Sequence, residues 1–265
     1  MGATSTFRTP DETPLATLRS AFAPMRGTDG ERRAVRIVFV ACLLAALAVN
    51  AAVLLQDRAD PLYLYRDQLM IAGINYGIAT DPTDTRFAYC CASWWGLVSN
   101  LGIVVWLMTA GMLLMGLAAT IGPAARGRQR EVAVFFAIAA TLTALFGIDD
   151  LFQIHEEKAL FGPLKGEAIL FPLYAVMIAS YALFGFVRRG PERMLLAAAL
   201  AGFAVSVLAD QTLPQEGVTV VIEDSAKFFA IVFWAGFHGL LVARIIGAFP
   251  ESEAAVRRVA TGTAR

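Results

Sequence analysis

SWWGLVSNLGIVVWLMTAGMLLMGLAATI, residues 93–121, carries no charged side chain. It is longer than the roughly 20 apolar residues that cross a hydrocarbon core of about 30 Å. A run of this kind reads as a transmembrane helix, and the rest of the chain repeats the pattern. Further apolar runs occupy 38–55, 132–148, 168–187, 194–209 and 220–246, separated by Pro, Gly or charge clusters. The run at 194–209 is short, and those at 93–121 and 220–246 are long, differences that tilt and interfacial ends absorb. The expected fold is all-α: a polytopic membrane helix bundle of six transmembrane helices.

Composition agrees. Of 265 residues, 57% are hydrophobic and 17% charged, with mean hydropathy +0.61. That is too apolar for an ordinary soluble domain of this length. The net charge of zero offers no basic excess for a nucleic-acid partner. Three cysteines, Cys42 and the adjacent Cys90 and Cys91, form neither a disulfide framework nor a zinc module. The polar first 35 residues do not read as a signal peptide, so the first apolar run is expected to remain as an anchor.

Basic residues set the orientation, because Arg- and Lys-rich loops stay on the cytoplasmic side. Alternate segments, including Arg32, Arg33, Arg36, Arg126, Arg128, Arg130, Arg188, Arg189, Arg193 and Arg244, hold 16 of the 22 Lys and Arg residues. The opposite segments hold five, Arg58, Arg66, Arg86, Lys158 and Lys165, and Lys227 lies within the last run. An even number of spans with N-in and C-in ends satisfies this. Residues 1–35 and 248–265 then read as disordered cytoplasmic tails flanking a transmembrane domain at 36–247. The outer segment 56–92 reads as a lid, with a short interfacial helix within 62–78. Trp94 and Trp95 fall at the outer interface. High Ala and Arg with little Lys points to a GC-rich bacterial genome and hence a bacterial inner membrane.

The outer segments carry 14 of the 22 acidic residues. Two clusters sit at the membrane boundary: Asp149-Asp150-Leu151-Phe152-Gln153-Ile154-His155-Glu156-Glu157, and Glu223-Asp224-Ser225-Ala226-Lys227-Phe228-Phe229. Carboxylates so close to hydrocarbon face the protein interior or a wet cavity and require partners. If the helix continues through Gln153, then Asp149, Gln153 and Glu156 share one face. Glu223 and Lys227 stand at i, i+4 in the favourable order, which makes a helix-surface ion pair a sufficient account of Lys227. His238, about four turns deeper among Phe233, Trp234 and Phe237, reads as a hydrogen-bonded packing histidine.

Two kinds of chemistry suit these clusters. Asp149, Asp150, His155, Glu156 and Glu223 are the donor set for a divalent metal ion. One histidine is too few for an ordinary zinc hydrolase, which favours magnesium, manganese, calcium or carboxylate-bound iron. Without metal, Asp150, Glu223, Asp224 and Lys227 are candidate catalytic residues, with acid and base roles divided between neighbouring carboxylates. The string Glu223-Asp224-Ser225-Ala226-Lys227 resembles the EExxK signature of PrsW-type intramembrane proteases, with Asp replacing the second Glu. That resemblance implies water activation by the acidic pair. The later histidine-bearing helices of those proteases have no counterpart here. The IDDLFQIHEE and EDSAKFF strings together resemble an uncharacterised bacterial multi-pass membrane protein family, which implies one constellation and no substrate.

The leading expectation is a membrane-embedded hydrolase acting on a lipid or peptide. A cation- or proton-coupled transporter and a non-catalytic membrane subunit are the alternatives. Transport requires a continuous polar path from Asp150 towards His238; an apolar interior below Lys227 counts against it.

Overall fold

The computed structural model describes residues 28–57, 61–65, 96–121, 128–154, 166–213 and 217–260. All of their regular structure is helical. The elements are α1 (Asp29–Leu55), α2 (Pro61–Tyr65), α3 (Leu97–Thr120), α4 (Arg128–Phe152), α5 (Gly166–Ser180), α6 (Gly185–Arg189), α7 (Arg193–Thr212) and α8 (Val218–Ala260), with a 3₁₀ turn at Tyr181–Leu183 between α5 and α6.

Five of these helices are long and apolar enough to cross a membrane: Asp29–Leu55, Leu97–Thr120, Arg130–Phe152, Arg193–Thr212 and Val218–Arg244. Their outward faces carry side chains such as Met108 and Met115, 70% and 73% exposed. Leu44, Leu114, Val176 and Leu208 face outward in the same way. Apolar surface distributed around so many helices is the pattern of a bundle solvated by lipid. The molecule is a multi-pass membrane protein by architecture.

The apolar run at 168–187 differs from expectation. Its helical part, Ala168–Leu183, falls short of the other five. Ser180 Oγ donates to the Met177 carbonyl at 2.6 Å, and Phe184 N–H turns back to the Tyr181 carbonyl at 3.1 Å. These local bonds tighten the chain into the 3₁₀ turn before α6 resumes.

Helix ends also differ from the sequence boundaries. α1 begins inside the stretch expected to be a tail. Thr28 Oγ1 accepts from Glu31 N–H, and the Glu31 carboxylate accepts from Thr28 N–H, a reciprocal cap that starts the helix early. α8 runs past residue 247 to Ala260, so helix replaces part of the second expected tail. α4 stops at Phe152: Gln153 has φ 49°, the left-handed region that non-glycine residues seldom occupy. The condition for Asp149, Gln153 and Glu156 to share one helical face, a helix running through Gln153, is therefore not met; Glu156 itself lies outside the described residues. Of the outer segment 56–92, the five-residue α2 is described and helical; most of the remainder, including Cys90 and Cys91, lies outside the described residues, as do Trp94 and Trp95.

α8 is the central element. It packs against α7, α3, α1 and α2, while α3 also packs on α4. The shared core is strongly aromatic: Trp106, Phe135, Phe136, Tyr181, Phe233, Trp234 and Phe237 are almost wholly enclosed. A smaller cluster of Val53, Leu64, Tyr65, Val98 and Phe228 joins α2 to the ends of α1, α3 and α8.

Candidate functional site

Consecutive residues on a helix point about 100° apart, and this separates the Asp149-Asp150 pair. Asp149, 5% exposed, faces α5, where Tyr174 Oη donates to its Oδ2 at 3.0 Å. Asp150 faces α3 and α8. Its Oδ1 lies 2.7 Å from Lys227 Nζ, and its Oδ2 accepts from Trp106 Nε1 at 2.9 Å. The two carboxylates thus serve different helices rather than converging.

The Lys227 contact adds a partner that the sequence account did not name. The ammonium reaches across to Asp150 on α4. Both partners are substantially enclosed, with side-chain exposures of 28% for Lys227 and 11% for Asp150. Asp150, Asp224 and Lys227 share the lining of one cavity with Val98, Ser99, Phe228 and Ile231. Its volume of about 10 Å³ has room for a single water. Glu223, the remaining candidate on α8, is half-buried and is not part of this lining.

A second polar set adjoins the cavity. Tyr65 of α2 is completely buried, and its hydroxyl donates to Asn50 Oδ1 at 2.7 Å. Asn50 Nδ2 donates to the Ala46 carbonyl at 2.8 Å, which fixes the amide's direction. Burial pushes the Tyr65 phenol above its usual range; a hydrogen bond from Ser225 opposes this, and the Asp224 charge adds to it. The phenol therefore stays neutral beside the carboxylate. Gly96 N–H, bonded to the Tyr63 carbonyl at 2.9 Å, ties α2 to the start of α3.

Below Asp150 the interior closes. Trp106, Phe146, Phe203 and Trp234 contact one another with ring centroids 4.9 to 6.2 Å apart. Trp234 Nε1 donates to Thr143 Oγ1 at 3.0 Å. Deeper still, His238 is fully buried, with Nδ1 at 2.9 Å from the Trp234 carbonyl and Nε2 at 3.1 Å from Tyr181 Oη. Nδ1 carries the proton in this arrangement, so Nε2 accepts from the tyrosine. His238 is the packing histidine expected from its neighbours.

As for a metal, no group of three His, Cys, Asp or Glu side chains suited to one comes together among the described residues. His155 and Glu156, both in the expected donor set, lie outside them. Sequence reasoning passed over Ser99, Trp106 and Tyr174. The signal for the last two was available: an indole N–H or phenol O–H inside an apolar run needs a partner when buried.

These features define a class, a helical membrane bundle with a charged, water-sized pocket at one end and an aromatic floor beneath it. The chain belongs to the family described as Domain of unknown function (DUF8692), which matches residues 35–241, the whole pocket included. No curated protein and no solved structure matches it.

Proposed function

We propose that this protein is a membrane-embedded hydrolase of a bacterial inner membrane, with its site at the outer boundary. The single observation that carries the reading is the cavity itself. A carboxylate, Asp224, and an ammonium held by a second carboxylate, Lys227 against Asp150, line a space the size of one water. In this reading Asp224 accepts a proton from that water as its oxygen attacks an ester or amide carbonyl. Lys227 stabilises the oxyanion, and Asp224 returns the proton to the leaving group as the carbon–oxygen or carbon–nitrogen bond breaks. Its ion pair with Asp150 at 2.7 Å suits Lys227 to an oxyanion rather than to the deprotonation of Ser99. The Glu223-Asp224-x-x-Lys227 resemblance to EExxK proteases supports the same assignment. A shared divalent ion would need His155 and Glu156 in addition.

The topology proposed with it has six crossings, N-in and C-in. The fourth is α5 continued through the 3₁₀ turn and α6. Tyr174 meets Asp149 at the pocket end of the bundle, and Tyr181 meets His238 deeper, so this segment runs inward antiparallel to α4. In this topology the arginine-rich segments lie on the cytoplasmic side and the pocket on the other. The aromatic floor beneath Lys227 favours hydrolysis at one face over transport.

The test uses the full chain in nanodiscs of phosphatidylethanolamine and phosphatidylglycerol, with a peptide mixture added, in water enriched in oxygen-18. Mass spectrometry reads label entering lipid or peptide products. The wild type is expected to label one product class, and Asp224→Asn and Lys227→Met to lose the label while retaining the folded state. An unlabelled wild-type reaction, or full labelling by Asp224→Asn, overturns the reading.

A further inference from the structure

Trp106 joins the aromatic core to the charged pocket. It is 2% exposed, held between Phe146 and Phe203 with ring centroids 4.9 and 5.8 Å away, the latter stacked at 6°. The backbone approach that brings it there depends on Gly147, one turn before Asp150. A Cβ at Gly147 would lie 3.0 Å from Trp106 Cβ, tighter than ordinary packing. α3 and α4 therefore meet closely enough for the indole to lie beside the last turn of α4. Its N–H meets Asp150 Oδ2 at 2.9 Å while Oδ1 is 2.7 Å from Lys227.

A carboxylate rotates about one bond, so a donor fixed on one oxygen fixes the direction of the other. We infer that Trp106 is a positioning residue of the pocket: by holding Oδ2 of Asp150, it sets Oδ1 against Lys227 and so places the ammonium in the cavity. The indole touches no substrate and acts through Asp150. This inference deepens the hydrolase reading by assigning Lys227's placement to a residue outside the cavity lining, and it is testable without turnover.

The chain has three lysines, Lys158, Lys165 and Lys227, so acetylation by sulfo-N-hydroxysuccinimide acetate is read residue by residue in the full-length protein in nanodiscs. Site-specific replacement of Trp106 by benzothienylalanine keeps the bicyclic shape and replaces the N–H with sulfur. The expected result is a rise of roughly tenfold in Lys227 acetylation relative to Lys158 and Lys165. That is the factor for losing one hydrogen bond to a charged group. Trp106→Phe should raise the same ratio, with an additional loss of thermal stability from the smaller ring. A benzothienylalanine protein whose Lys227 ratio stays within twofold of the wild type overturns the inference. The oxygen-18 experiment fails separately: a raised Lys227 ratio in a protein that labels no product sustains the positioning role and refutes hydrolysis.

Discussion

Replacing Asp150 with Ala withdraws two acceptor contacts at once, and the structure sets the scale of the loss. Lys227 Nζ, 2.7 Å away on a side chain 28% exposed, recovers part of its interaction from water. Trp106 Nε1, 2.9 Å away on a residue 2% exposed, recovers almost nothing. A hydrogen bond to a charged group contributes about 1.5–3 kcal/mol, and stranding a buried donor costs about 1–3 kcal/mol. Taking the lower part of each range gives a destabilisation of about 3 kcal/mol for Asp150→Ala. Lys227→Met leaves the carboxylate with its indole bond alone and costs about 2 kcal/mol, below the range for fully buried pairs because this one reaches water. In the double variant neither charge remains and only the indole is stranded, so about 2–3 kcal/mol is lost instead of the additive ~5, a coupling of roughly 2–3 kcal/mol. At about 2–4 °C per kcal/mol for a chain of this size, Asp150→Ala alone lowers Tm by about 6–12 °C. Intrinsic tryptophan fluorescence during heating in nanodiscs measures all four proteins. If the single losses add within about 0.5 kcal/mol in the double variant, the pair contributes no coupling and the account of the pocket is refuted.

Two further perturbations test the bundle away from the pocket. Glu192, 2% exposed at the start of α7, lies against Arg244 at 2.6 Å; burial raises its carboxyl above the usual value, Arg244 opposes that shift, and Glu31 adds to it. The folded state therefore holds the proton more tightly, so Glu192's contribution is complete below the ordinary glutamate pKa and is lost as pH rises through the raised value. The wild-type stability advantage over Glu192→Gln should shrink upward from about pH 4.5, and a difference that is flat or grows with pH contradicts the assignment. At the α1–α8 contact, a Cβ on Gly236 would lie 2.6 Å from Cys42 Sγ and 3.2 Å from Val38 Cγ1. Gly236→Ala should cost about 1–2 kcal/mol by overpacking, and adding Cys42→Ala should restore most of it in the same melts; an undisturbed Gly236→Ala protein refutes the close approach.

The long helices were legible because a bilayer demands long apolar segments, and that demand is written in one dimension. The pocket was legible only in its members. Asp150, Asp224 and Lys227 stand out as charges beside hydrocarbon, but along the chain the visible partner for Lys227 was Glu223, four residues before it. Asp150, on another helix, also pairs with Lys227 in space, and no spacing reports it. Asp149 and Asp150 read as a pair because they are adjacent, although adjacency on a helix sends them to different neighbours. The early start of α1 was readable in Thr28-Asp29-Gly30-Glu31, a cap signature set within a Pro/Thr/Arg-rich stretch. The stop at Phe152 had no comparable sign, because glutamine at positive φ is a tertiary outcome.

The position of Lys227 is a property of the whole of α8. Lipid tails offer helices no hydrophobic reason to associate, so register depends on close packing and on polar ties. α8 has both. A Cβ on Gly202 of α7 would lie 2.9 Å from Ala230 Cβ and 3.0 Å from the Ala226 carbonyl, and one on Gly102 of α3 would lie 3.0 Å from Ile231 Cδ1. These contacts seat the helix between two neighbours at the level of the pocket. Lys227 ties one end of the apolar segment to α4, and Arg244 ties the other to the start of α7. A slip of one helical turn, about 5.4 Å, would break both ion pairs and collide at the small-residue contacts. The ammonium is thus held by the bundle's rigid helices, with Trp106 and Asp150 fixing its last few ångströms. Chemistry that depends on a preorganised charge at the membrane boundary requires this kind of support.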